Sequence, residues 1–182
     1  DGTAFDISGP DGAPVMVLIH GLGLCRHLWD HHLPALAVGH RVLRYDLYGH
    51  GDSAPPPSSG ALCEVSLTVY ADQLAWLLDH LDIASAVIVG FSIGGMINRR
   101  FAMDYPGRAA ALVILNSPHD RGPQAQEQVE ARAAVVRDEG RMATMDSALN
   151  RWFTPDFRQD AARAFSWFSD ARKANKLKGS KD

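Results

Sequence analysis

The residues best placed to do chemistry form the run Gly90-Phe91-Ser92-Ile93-Gly94-Gly95, a G-x-S-x-G pattern that follows an apolar stretch directly. A strand that turns at once into a helix forces its serine into a strained backbone conformation. Small neighbours let the two segments pass without a Cβ clash, and the hydroxyl is left standing at the helix N-terminus. There the helix dipole and the unpaired amide of Ile93 can stabilise negative charge developing on a substrate carbonyl oxygen. Nucleophilic attack on a carbonyl is the chemistry such an arrangement serves, and the alternative is a serine that only caps its helix.

A second group, His20-Gly21-Leu22-Gly23, follows another apolar run. A glycine-rich loop in that place can offer a second backbone donor, from Leu22, to the same oxyanion. The segment Tyr45-Asp46-Leu47-Tyr48-Gly49-His50-Gly51-Asp52-Ser53 is dense in turn formers, so Asp46, His50 and Asp52 read as loop architecture rather than catalysts. Cys25 and Cys63 are too few for a disulfide framework and lack metal-ligand spacing. No metal and no organic cofactor is expected.

These groups must be carried by regular elements. Residues 15–19 (VMVLI) are continuously apolar and too short for an ordinary helix, which predicts a strand buried on both faces of a parallel sheet. Residues 42–45, 86–89 and 111–115 read the same way, and residues 3–8 add an edge strand. The i, i+3, i+4, i+7 spacing of Leu67, Tyr70, Ala71, Leu74, Leu77, Leu78 and Leu81 predicts a helix between the second and third of these runs. Another helix is expected over residues 96–105, behind the serine. Strands alternating with helices imply β-α-β crossovers.

At 182 residues and 46% hydrophobic composition the chain can bury a sizeable core. A formal charge of −3 supplies no basic excess for nucleic acid or an anionic membrane surface. No run approaches the roughly 20 apolar residues of a membrane span. A cytoplasmic location is the expectation, with an N-terminus that lacks Met and reads as trimmed. After Pro123 the pattern turns helical, over residues 126–137 and 142–153, with Trp152, Phe153, Phe157, Phe165, Trp167 and Phe168 behind, of which Trp152, Phe153, Phe157 and Trp167 read as a pocket lining or as the core of a cap. Residues 54–60 read as a loop. The expected organisation is a core over 1–122, a helical cap-like segment over 123–172 and a disordered tail over 173–182.

With HGLGL, RYDLYGHGDS and GFSIGGM in this order, the sequence resembles the α/β-hydrolase superfamily, in its enol-lactonase, haloperoxidase-like and carboxylesterase branch. The similarity covers most of residues 1–120. The resemblance implies an α/β fold with a mostly parallel sheet and flanking helices, Ser92 as nucleophile, and an oxyanion site at Leu22 and Ile93 beside His20 and Gly21. It also implies an acyl-enzyme mechanism on small carboxylic esters or lactones without a cofactor, or cofactor-free haloperoxidase-like chemistry.

The sequence departs from that family toward its C-terminal side. No histidine follows His119 and no buried strand pattern follows Leu115, so the chain reads as C-terminally truncated and the family's usual base is missing. His119 as base and Asp120 as acid are the substitutes just beyond the last strand, with His20 a weaker base candidate. A catalytically impaired scaffold or fragment is the competing expectation. The missing strands leave an apolar edge over residues 111–115, which predicts a homodimer or domain-swapped assembly.

Overall fold

The computed structural model describes residues 1–56, 66–139 and 145–160. Its contacts divide the chain into two compact units, which part between Pro118 and His119.

The first unit is built on five strands: β1 (Phe5–Ser8), β2 (Val15–Ile19), β3 (Arg41–Tyr45), β4 (Ala86–Phe91) and β5 (Ala109–Leu115). Their order is β1-β3-β2-β4-β5, with β1 antiparallel to β3 and all other pairs parallel. This is the α/β class expected. Each apolar strand contributes to both faces because successive side chains alternate. Val17, Ile19, Leu43, Tyr45 and Ile88 pack with Leu74, Leu77, Leu78, Ile97 and Phe101 on one face. Leu18, Val42 and Val89 pack with Trp29 on the other.

The first face is covered by α2 (Leu67–His80) and α3 (Ile93–Asp104). Ser66 caps α2 by accepting the Val69 amide, and the left-handed Asp82 (φ 54°) follows its end. Its fully buried Leu74, Leu77 and Leu78 each contribute about 1.5–3 kcal/mol by leaving water. The opposite face is covered by a 3₁₀ turn at Arg26–Trp29 and by α1 (Leu33–Leu36), neither of which the sequence periodicity announces. α3 begins at Ile93, three residues before the predicted start, because the helix grows directly out of the serine turn.

β5 pairs only with β4 among the described residues. Leu112, Val113, Ile114 and Leu115 are 36%, 40%, 41% and 38% exposed, the apolar edge predicted from the sequence.

The described residues of the second unit form α4 (Gly122–Glu139), α5 (Met145–Trp152) and α6 (Pro155–Asp160). Phe153 and Phe157 stack with ring centroids 5.1 Å apart. Phe165, Trp167, Phe168, Cys63, residues 57–60 of the expected loop and the expected tail over 173–182 lie outside the described residues. No described helix is long and apolar enough to cross a membrane.

Candidate active site

Three parallel strands end side by side, and the site is made by the turns that leave them. In register, Ile19 of β2 faces Gly90 of β4, and Phe91 faces Leu115 of β5. Leu22 and Ile93 thus each lie three residues beyond a paired position, at the same end of the sheet.

Ser92 occupies the turn between β4 and α3 with φ 55° and ψ −115°, a sparsely populated conformation for a residue with a side chain. Such a conformation costs on the order of 1–3 kcal/mol and persists only when its surroundings enforce it. The enforcement is visible. Ser92 N–H donates to the Leu115 carbonyl at 2.9 Å, and the Ser92 carbonyl accepts from Gly95 N–H at 3.0 Å. A Cβ added at Gly90 would lie 2.2 Å from the Gly94 carbonyl oxygen, and one at Gly94 would lie 2.6 Å from that of Ile19. Only glycine at both positions lets α3 start against the ends of β2 and β4.

Ser92 is half-buried, and its hydroxyl makes no hydrogen bond within the described part of the first unit. Neither the Leu22 nor the Ile93 backbone amide has an acceptor there. Both amides lie at the end of the sheet where the strained, uncapped Ser92 leads into α3. The Leu22 side chain is 64% exposed, whereas Gly21 is buried against the Phe91 ring.

His20 is fully buried, with Nδ1 2.8 Å from the Gly21 carbonyl oxygen and Nε2 accepting the Leu47 amide at 3.0 Å. Burial pushes its pKa down to about 3, with His50 and Arg26 adding repulsion, while the bond to Gly21 opposes the shift. Both ring nitrogens are engaged, and burial disfavours the charged ring.

Asp46, His50 and Asp52 build the neighbouring loop. The buried Asp46 carboxylate accepts from the Arg26 amide at 2.6 Å, from the Arg26 guanidinium and from the Asp52 amide at 2.9 Å. Gln73 and Ser53 both donate to the Asp46 carbonyl. The His50 ring lies 5.3 Å from that of His20, and its Nδ1 contacts the Tyr48 carbonyl. Cys25 is buried, and that burial pushes its thiol up to about 11.

On the other side of the serine, Asn98 of α3 donates to the carbonyls of Ile88 and Val113, bridging β4 and β5 from beneath. Arg99 donates to Ser117 Oγ at 3.2 Å and to the Pro118 carbonyl at 2.6 Å, holding the exit of β5. The sequence reading missed Arg26, Asn98 and Arg99, whose partners are backbone atoms and loop residues distant in the chain. His119 and Asp120 begin the second unit, where the Asp120 carboxylate accepts the Gly122 amide at 2.9 Å. No cluster of three or more metal-ligating side chains occurs among the described residues.

Comparison with known proteins agrees with the fold. Residues 14–180 match the family described as alpha/beta hydrolase fold. The chain is 43% identical over 113 residues to the dihydrolipoyllysine-residue acetyltransferase component of the acetoin cleaving system of Pseudomonas putida, covering 62% of this chain and 29% of that protein. It is 31% identical over 153 residues to 3-oxoadipate enol-lactonase 2 of Acinetobacter baylyi, covering 84% of this chain and 55% of the relative. It therefore spans less than two thirds of either. Among solved structures, the enol-lactonase from Burkholderia xenovorans LB400 superposes with a TM-score of 0.81 at 27% identity, over 98% of this chain and 70% of that one.

Proposed function

The chain belongs to the α/β-hydrolase fold family, and on that premise we propose that it is a serine hydrolase of small carboxylic esters or lactones acting through an acyl-enzyme on Ser92. The observation that carries this reading is the strained Ser92 turn, with the unpaired amide of Ile93 next to it and that of Leu22 at the same end of the sheet. Similarity to enol-lactonases favours cyclic as well as open esters.

In the proposed reaction Ser92 Oγ bonds to the carbonyl carbon as its proton passes to a base. The carbonyl electron pair moves onto oxygen, where the two amides hold it. Collapse breaks the bond to the alkoxy oxygen, which takes the proton and leaves, or stays tethered when the substrate is a lactone. Water then attacks the acyl-enzyme through the same oxyanion and regenerates Ser92. All of this is acid–base and acyl chemistry, and none of it calls on a cofactor. The sequence offers His119 as base and Asp120 as acid, and His119→Ala tests that assignment.

The experiment is acid-quenched mass spectrometry after mixing with p-nitrophenyl acetate. An acetyl group on the peptide containing Ser92, absent in Ser92→Ala, supports the acyl-enzyme. Folded protein that never acquires it contradicts it. One observation favours a second reading, a hydrolase-like scaffold that binds without turnover: no side chain in the described part of the first unit hydrogen-bonds to the Ser92 hydroxyl, and an unactivated serine is a poor nucleophile. Self-association through the β5 edge is also part of the proposal, because an exposed, uncharged strand edge is a template for pairing with a second copy. A monomer at all concentrations in sedimentation removes it.

A further inference from the structure

His20 is buried completely at the end of β2, with both ring nitrogens hydrogen-bonded. Its surroundings fix its protonation. The Leu47 amide can only donate, so Nε2 must present its lone pair, and the Gly21 carbonyl can only accept, so Nδ1 must carry the hydrogen. One neutral tautomer satisfies both bonds, and burial, His50 and Arg26 keep the cation away.

The acceptor of the Nδ1 hydrogen is the carbonyl of the peptide whose N–H belongs to Leu22. In a trans peptide the C=O and N–H point in opposite directions. Holding the Gly21 carbonyl therefore aims the Leu22 N–H the other way. Gly21 also accepts from Leu24 N–H at 3.1 Å, across a turn that Gly23 closes with φ +74°. That bond lies inside the turn and sets its shape. The imidazole is anchored to Leu47, the second residue after β3, and so sets the direction of the turn relative to the sheet and to α3.

We propose that His20 is a positioning residue: its Nδ1–H locks the Gly21–Leu22 peptide so that the Leu22 amide faces the oxyanion formed at Ser92. This rests on the serine-hydrolase reading for its functional consequence, but not for its geometry. A donor displaced by about 1 Å loses much of its effect on a transition state, and loss of one oxyanion donor slows acyl transfer by roughly 10²–10³-fold.

Two isosteres separate the bonds. The amide nitrogen of His20→Asn falls near Nδ1 and keeps the donor to Gly21. The terminal oxygen of His20→Gln reaches the place of Nε2 and keeps only the acceptor for Leu47. Crystal structures of both variants, with saturation kinetics of fluorophosphonate labelling, form the test. His20→Asn is expected to keep the Leu22 amide in place and to label within about 3-fold of the parent rate. His20→Gln is expected to displace that amide and lower the maximal labelling rate at least about 10-fold, with the half-saturating concentration unchanged. An undisplaced Leu22 amide in His20→Gln, or the same displacement in both variants, overturns the proposal. If the parent protein is not labelled, the Ser92 reading fails, while the position of the Leu22 amide still decides the role of His20. Should either variant not fold, ¹⁵N spectra of the parent imidazole decide: a protonated Nδ1 and bare Nε2 from pH 5 to 8 are expected, and the other tautomer or a cation overturns it.

Discussion

The backbone amide of Ser92 donates to the carbonyl of Leu115 at 2.9 Å, so the turn that carries the proposed nucleophile is fastened to the last residue of β5. The bond joins a residue in a costly conformation to a strand held by six register pairs with β4. Strain at Ser92 is thereby borne by the sheet, and the position of the hydroxyl is a property of β4, β5 and α3 together.

Crowding at the elbow can be tested at Gly94. An alanine there places a Cβ 2.6 Å from the Ile19 carbonyl oxygen and 2.9 Å from that of His20, with rigid backbone on the receiving side. Gly94→Ala is expected to destabilise the fold by about 1–3 kcal/mol, read as a lower urea midpoint, and to reduce labelling of Ser92 in the fraction that stays folded. An unchanged midpoint contradicts the packing described.

Acid should weaken the protein through His20. In the unfolded chain its imidazole takes up a proton near pH 6.5, and in the folded protein only near pH 3, because burial disfavours the cation. Between these values the unfolded state holds the extra proton, so stability rises with pH and falls as pH is lowered. The slope from this one group approaches about 1.4 kcal/mol per pH unit. Urea midpoints measured from pH 7 to pH 4 should fall less steeply in His20→Gln, which has no group to protonate.

Breaking the Asp46 cluster should be costly. Asp46 is completely buried and neutralises Arg26, whose side chain is itself mostly covered. Asp46→Asn leaves a guanidinium without its main counter-charge and is expected to cost about 3–5 kcal/mol in chemical denaturation. A loss below about 1 kcal/mol would show that Asp6 and Asp52, which also contact Arg26, suffice.

Cys25 should be silent in the native state, because burial raises its thiol to about 11 and thiolate is the reactive form. In a Cys63→Ser background, a disulfide reagent is expected to react with Cys25 only on the timescale of unfolding. Rapid stoichiometric reaction of the folded protein would contradict the packing around the 3₁₀ turn.

Much of this was legible in the sequence wherever local rules decide the outcome. The runs 15–19, 42–45, 86–89 and 111–115 are strands because nothing else buries so short an apolar stretch on two faces, and glycine spacing around Ser92 marks a turn where no Cβ fits. The 3₁₀ turn and α1 were not legible: they are four residues each, too short for periodicity to show. The roles of His20, Arg26, Asn98 and Arg99 were hidden for a different reason. Each acts on residues set by tertiary contact, most through backbone atoms that leave no mark on residue type.

The most direct test of serine catalysis is intact-mass spectrometry after incubation with a fluorophosphonate, comparing the chain with Ser92→Ala. The geometry of the Ser92 turn and the two unpaired amides predicts one phosphonyl group per chain, lost in Ser92→Ala. Folded protein that remains unlabelled would contradict an activated nucleophile and make the binding scaffold the correct description.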